Sequence, residues 1–204
     1  MVPEVHVSKL ADPNFSAVYA RSMFQLRYSI FHDRLHWDVK THDGMEIDEF
    51  DDDYSTYFVV RGEQNRVIGC WRLRPTTTPY MLQDTFPQLL GGQAAPSNEH
   101  VWELSRFAVV NTPFANPQYG FGYTSLALMT AALRFALDHG IDRYVTVTSV
   151  AVERLMKKMG LQVHRFAPPV RIGRVHSVAV WVDIDTHTYE AVLSHAQPSQ
   201  QEAA

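Results

Sequence analysis

From Tyr123 onward the chain alternates helix-like and strand-like segments, and this alternation restricts the fold more than any other property of the sequence. Leu126, Met129, Leu133, Ala136 and Leu137 recur at helical spacing as far as His139, and Gly140 stands where a left-handed C-terminal cap belongs. Arg143 to Val150 then reads as a buried strand. Val152 to Met159 reads as a second helix closed by Gly160, and Leu161 to Phe166 and Ser177 to Ile184 as two further strands. Strands that alternate with helices bury themselves as a sheet with helices on its faces.

The first half has a different rhythm. Asp12 and Pro13 form an N-cap with proline at the first helical position, and Phe15, Val18, Tyr19, Met23, Leu26 and Ile30 continue as an amphipathic helix. Trp37 to Tyr54 shows little periodicity and reads as a long loop, whose embedded aromatics favour a functional one. Thr56 to Arg61 and Val67 to Arg74 are two strands of a hairpin around Gly62 to Arg66, ended by Pro75 and Pro79. A third strand runs from His100 to Val110, with Trp102, Leu104 and Phe107 as its apolar face, after a short helix between Met81 and Leu90. An antiparallel beginning followed by an alternating half predicts an α/β domain. Its expected form is a three-layer α-β-α arrangement around a mixed central sheet, the outline of acetyltransferase-like folds. Residues 1–197 are expected to form one domain, and Pro198 to Ala204 a disordered polar tail.

The 204 residues are 46% hydrophobic, enough for one continuous core. With 22 acidic and 18 basic residues the net charge is -4, so the overall field repels nucleic acid and anionic membranes. Any anionic partner must meet a local basic patch. Cys70 is the only cysteine, which excludes an internal disulfide and points to a reducing, cytoplasmic compartment. No signal segment and no apolar run of roughly 20 residues is present, so a soluble protein is expected. The ten histidines show no metal-ligand spacing; His32 and His36 share a helical face that reads as solvent-facing.

Charged residues inside apolar segments need partners. Arg27, Arg72 and Arg106 arise in separate apolar or aromatic stretches, as do Asp48, Asp51 and Glu103. Two readings stand: a structural ion network, or a binding site for a zwitterion that needs guanidinium forks, carboxylates and aromatic faces together.

The runs Arg27-Tyr-Ser-Ile-Phe31, Trp37, Glu46-Ile-Asp48-Glu-Phe-Asp51, Gly69-Cys-Trp-Arg72-Leu and Trp102-Glu103-Leu-Ser105-Arg106-Phe107 closely resemble the LuxI-type acyl-homoserine lactone synthases, in order and in spacing. Thr146-Val-Thr148 and Arg154 to Gly160 extend the likeness. The resemblance implies a quorum-sensing signal made from S-adenosylmethionine and a fatty acyl thioester, with acyl carrier protein favoured over acyl-CoA and methylthioadenosine released. S-adenosylmethionine is then a substrate, and no cofactor is expected. Carried over by position, Arg27, Phe31, Trp37, Asp48, Asp51, Arg72 and Arg106 are implied to shape its pocket.

For catalysis, Glu103 is chosen as the base that takes a proton from the substrate amine, with Ser105 and Arg106 beside it. Strand alternation sets Glu103 and Arg106 on opposite faces unless a bulge intervenes. Cys70 reads as packing rather than a nucleophile. The expected acyl pocket is lined by Met81, Phe107, Leu126, Met129, Thr148, Val150 and Met156, each of which is otherwise ordinary core. Arg154, Lys157 and Lys158, within a basic region that includes Arg165, Arg171 and Arg174, are the expected dock for the carrier protein. Gln118-Tyr-Gly120-Phe-Gly122 is an incomplete version of the acetyltransferase pyrophosphate loop. Two rivals remain: an acyl-CoA-dependent N-acyltransferase acting on another amine, and a non-enzymatic ligand-binding domain.

Overall fold

The computed structural model describes residues 3–110 and 121–196. Gln118, Tyr119 and Gly120 of the glycine loop, and the tail from Pro198, lie outside the described residues. One sheet organises the rest. Its strands are β1 (Val5–Ser8), β4 (Thr56–Arg61), β5 (Val67–Pro75), β6 (Val101–Val109), β7 (Arg143–Ser149), β10 (Val175–Asp183) and β8 (Val163–Arg165), in that spatial order. Strand β9 (Val170–Ile172) pairs with β10. Only β6 and β7 run parallel among these pairings, joined through α4 (Tyr123–His139); the others are antiparallel.

Both faces are covered, because strand residues alternate between two apolar clusters. Tyr57, Val59, Cys70 and Ala108 pack against Phe15, Met23, Leu26, Ile30 and Phe31 of the N-terminal helix. Phe58, Val60, Leu73 and Leu104 pack instead against Leu128, Ala132 and Ala136 of α4. Further along, Val178, Val180 and Val182 of β10 meet Leu126 and Leu133 of α4, Leu155 and Met156 of α5 (Val150–Lys158), and Val192 of α6 (Thr186–Ala196). This is the expected α-β-α sandwich with a mixed sheet.

The bulge in β6 matters most for the site. The β5–β6 register shifts between Cys70 and Arg72, whose partners are Ala108 and Ser105, so Arg106 and Phe107 together oppose Trp71. Arg106 takes up the extra residue at φ 58°, left-handed space that costs a side-chain-bearing residue on the order of 1 kcal/mol. Parity therefore changes along the strand. Trp102 and Leu104 face α4 before the bulge, and Phe107 and Val109 do so after it. Arg106 is turned onto the face that carries Ser105 and Arg72.

Several elements differ from expectation. The segment read as a loop contains a hairpin, β2 (Thr41–His42) and β3 (Met45–Glu46), closed by Asp43 and Gly44, both at positive φ. Those are the conformations of a two-residue type I′ turn, for which Asp-Gly is a favoured pair. The N-terminal helix is continuous from Pro13 to Arg34 but passes through two π-helical stretches, Ser16–Ala20 and Tyr28–Arg34. Val150 begins α5 rather than ending β7, because Ser149 caps the helix by accepting a hydrogen bond from the Val152 amide. Strands β1 and β9 and helix α6 were not anticipated, and the strand expected from Leu161 is only three residues long.

Candidate active site

Three arginines and three carboxylates interlock between the N-terminal helix, the β2–β3 hairpin, the turn after it, and strands β5 and β6. Arg27 donates to Asp51 through both terminal nitrogens, at 2.7 and 2.8 Å, and through Nε to Glu46 at 2.5 Å. Arg72 grips Asp48 in the same forked way, at 2.5 and 3.0 Å, reaches Asp51 at 2.9 Å, and gives its Nε to Ser105 Oγ at 3.1 Å. Arg106 bridges Glu46 at 3.0 Å and Asp48 at 2.8 Å. The Tyr57 hydroxyl donates to Asp51 at 2.8 Å. Three positive and three negative groups balance, which is what makes their shared burial tolerable.

The electrostatics follow from that geometry. Burial pushes the Asp51 carboxyl upward, yet Arg27 and Arg72 outweigh it and hold the group well below the usual carboxylate range. Asp48 is likewise lowered, by Arg72 and Arg106 against burial. Arg106 is lowered by its own burial, with Asp48 and Glu46 opposing. A backbone device fixes the acids in place: the Asp48 amide donates to Asp51 Oδ2, and the Phe50 amide to Asp48 Oδ1. The Arg72 and Arg74 guanidiniums each lie 5.6 Å from the centre of the Phe50 ring.

An aromatic face adjoins the network. Phe31 and Trp37 stack with centroids 5.2 Å apart and planes 8° apart, and the Arg106 guanidinium sits 5.6 Å from the Phe31 ring. The π-helical turn arranges this: the Leu35 amide reaches Ile30 O, and the Trp37 amide folds back to Phe31 O. Phe31 is buried, whereas Trp37 is 42% exposed and leaves a ring available to a ligand.

Glu103 stands on the same face but outside the ion network. Its Oε2 and Oε1 accept the Met81 and Leu82 amides, at 3.0 and 2.7 Å, at the start of α3 (Met81–Asp84). No ion pair joins it to Arg106 among the described residues. Burial pushes its carboxyl up to about 7, against those two backbone donors and the positive charge of Arg72 and Arg106. A carboxylate with that affinity can hold or release a proton near neutrality. Cys70 is buried, and burial raises its thiol to about 12, so it stays protonated.

Six of the residues expected to line an acyl pocket share the face covered by α4 and α5: Leu126, Met129, Val150 and Met156 in one cluster, Phe107 against Trp71, and Thr148 by alternation from Tyr144. Met81 does not join them. It lies on the opposite face, with its sulfur 3.1 Å from an Arg106 nitrogen. The pairing of β6 with β7 ends at Leu104 and Thr146, so the strands part beside Arg106 and Thr148. In α5, Lys157 is tied at 2.8 Å to Glu153, a residue 1% exposed that also binds Arg165 through two nitrogens.

Glu46 was not singled out from sequence. It is fully buried and links Arg27 to Arg106. Counting charge does not find it, since Asp48, Asp51 and Glu103 already match the three arginines in number; the structure sets Glu103 outside the network and Glu46 in that third place. Among the described residues no group of three or more His, Cys, Asp or Glu is placed to hold a metal ion, and no helix is long and apolar enough to cross a membrane.

Residues 14–192 match the model of the autoinducer synthase family. The acyl-homoserine-lactone synthase of Pseudomonas aeruginosa is 41% identical over 172 residues, which are 83% of this chain and 85% of that protein. The solved AHL synthase LasI superposes with a TM-score of 0.82 at 37% identity, covering 97% of this chain and 98% of the other. BjaI, a CoA-dependent acyl-homoserine lactone synthase solved with SAM and isopentyl-CoA, gives a TM-score of 0.82 at 28% identity over 97% and 91% of the two chains. This chain belongs to the autoinducer synthase family, the enzymes that act as acyl-homoserine-lactone synthases.

Proposed function

We propose that the chain makes an acyl-homoserine lactone from S-adenosylmethionine and a fatty acyl thioester, and that the Arg27, Arg72 and Arg106 network is the S-adenosylmethionine site. The observation that carries this reading is the balanced set of three arginines and three carboxylates beside a half-exposed Trp37. A zwitterionic sulfonium needs anion forks, acidic groups and an aromatic face within one small space. Asp48 and Arg106 are the members of the network with some exposure, so they are the ones to meet the ligand.

Two steps follow. The substrate amine gives up a proton to Glu103, directly or through a water, and attacks the thioester carbonyl; the amide forms and the thiol leaves. The methionyl carboxylate then displaces methylthioadenosine from its own γ-carbon, closing the lactone. A sulfonium leaves readily, so this second step asks mainly for orientation. The chemistry calls for no resident cofactor. Acyl carrier protein is the favoured donor, since the basic surface of α5, including Arg154, Lys157 and Lys158, stands out in an acidic chain.

The test is incubation with S-adenosylmethionine and a mixed pool of acyl thioesters, read by mass spectrometry. Acyl-homoserine lactone and methylthioadenosine should appear together in equal amounts. An acylated amine without lactone would favour a simple N-acyltransferase.

A further inference from the structure

Arg74 stands opposite Glu103 in the β5–β6 register, and paired residues of an antiparallel ladder share a face. Its guanidinium is buried, yet its hydrogen bonds pass the glutamate by and reach two other segments. Nε donates to the Pro79 carbonyl at 2.5 Å, just ahead of Tyr80 and α3. The terminal nitrogens fork onto the Asp52 carboxylate and donate to the Phe50 carbonyl and to Ser55 Oγ, both at 3.1 Å. Ser55 Oγ in turn donates to the Phe50 carbonyl at 2.6 Å and closes the turn on itself.

Both segments hold groups that the reaction uses. Phe50 gives its amide to Asp48 and its carbonyl to Arg74. Pro79 lies two residues before Met81, whose amide, with that of Leu82, carries Glu103. A guanidinium is a rigid plane of donors in fixed directions, so it sets the spacing of whatever it binds. Charge balance does not require Arg74, because Arg27, Arg72 and Arg106 already match Glu46, Asp48 and Asp51, and its own acid, Asp52, is part-exposed. We propose that Arg74 is a positioning residue, one clamp that fixes the Asp48–Asp51 turn and the α3 amides under Glu103 relative to each other. The inference rests on the reading of Glu103 as the base. The groups facing Glu103 are Arg72 and Arg74 from β5, Arg106 from β6 and Tyr80 from the start of α3, with Val145 level with it on β7. Without the clamp the two amides loosen, and burial acts on the carboxyl against weaker opposition.

The double variant Arg74→Leu with Asp52→Asn removes one charge of each sign and puts an apolar group where a buried ion pair stood, a change that folds commonly tolerate. Hydrogen exchange at the Met81 and Leu82 amides reads the clamp without any turnover, so its failure is separate from failure of the lactone assay. Protection there should fall roughly tenfold while the β5 and β6 amides keep theirs. In turnover, kcat should fall roughly tenfold, and the midpoint of its pH profile should rise by about half a unit or more, at a melting temperature close to that of the wild type. The local charge is unchanged, so that rise reports geometry rather than field. Unaltered exchange at the two amides, or a lower melting temperature with an unmoved pH profile, overturns the proposal and leaves Arg74 a purely structural residue. Should the double variant fail to fold, Asp52→Asn alone decides. Its side chain is 38% exposed, so the fold is not at stake, and the same two amides should lose protection by roughly threefold; full protection there overturns the proposal.

Discussion

At the level of single residues, burial sorts the site into members that hold the fold and members that meet a ligand. Arg27 is 1% exposed and binds two carboxylates, so Arg27→Ala leaves three buried acids with two arginines, Glu46 keeping only Arg106 and Asp51 only Arg72 as a cationic partner. Loss of about 3–5 kcal/mol in thermal or denaturant unfolding is expected. Trp37→Ala removes an exposed ring instead. Its melting should change little, while S-adenosylmethionine affinity should fall roughly tenfold by calorimetry, as for a lost cation–π face; unchanged affinity would make Trp37 mere cover for Phe31. Glu103→Gln should lower kcat by about a hundredfold or more with little effect on S-adenosylmethionine binding. Its pH signature has a definite sign. The carboxyl is raised from 4.5 to about 7, so the active, deprotonated form grows as pH rises through 7, and the rate of the wild type should climb there while the variant stays flat. The contribution of Glu103 to stability moves the other way, fully present below pH 4.5 and lost as pH rises through 7, whereas the lowered carboxyls of Asp48 and Asp51 contribute stability that is lost in acid. Most of this cluster was legible because charges in apolar segments demand partners. Glu46 is not legible that way because Asp48, Asp51 and Glu103 already match the three arginines in number, and the separate footing of Glu103 on the α3 amides is a tertiary contact that no spacing reveals.

Elements carry these residues to their places, and the less regular ones carry the most. The Asp43-Gly44 turn delivers Glu46 to the network, and the Arg106 bulge turns a guanidinium toward Asp48 that simple alternation would send to the other face. The turn has a readable sign in its Asp-Gly pair, and the bulge has one in the apolar pattern, because Trp102, Leu104 and Phe107 share a face only if an extra residue falls between 104 and 107. Short edge strands have none, since four residues of β1 are too few to show a period. Packing between layers is equally local. A Cβ built at Gly69 on β5 would stand 2.5 Å from Thr124 Cγ2 and 3.3 Å from Leu128 Cδ1, so α4 can approach the sheet only over a glycine. Gly69→Val should therefore cost about 1–3 kcal/mol, seen as a melting temperature lower by several degrees. An unchanged melting temperature would mean that α4 is not seated against β5 as described.

For the whole molecule, the alternation of the C-terminal half was enough to foresee a mixed sheet between two helical layers. It did not reveal that β10 returns between β7 and β8, because strand order depends on pairings distant in sequence. The proposed site sits where the layers differ: the ion network and Glu103 on one face, the apolar cluster of α4, α5 and α6 on the other, and between them the gap where β6 and β7 part after Leu104 and Thr146. An acyl chain on one side of that gap and a sulfonium on the other would meet beside Arg106. The central claim is that one site joins the two substrates and closes the ring using the methionyl carboxylate itself. It is tested most directly with S-adenosylmethionine labelled by ¹⁸O at both carboxylate oxygens, the product being weighed by mass spectrometry. The account predicts a lactone that keeps both labelled oxygens, one in the carbonyl and one in the ring; a lactone that has lost either label, or an acylated product with no ring, would contradict it.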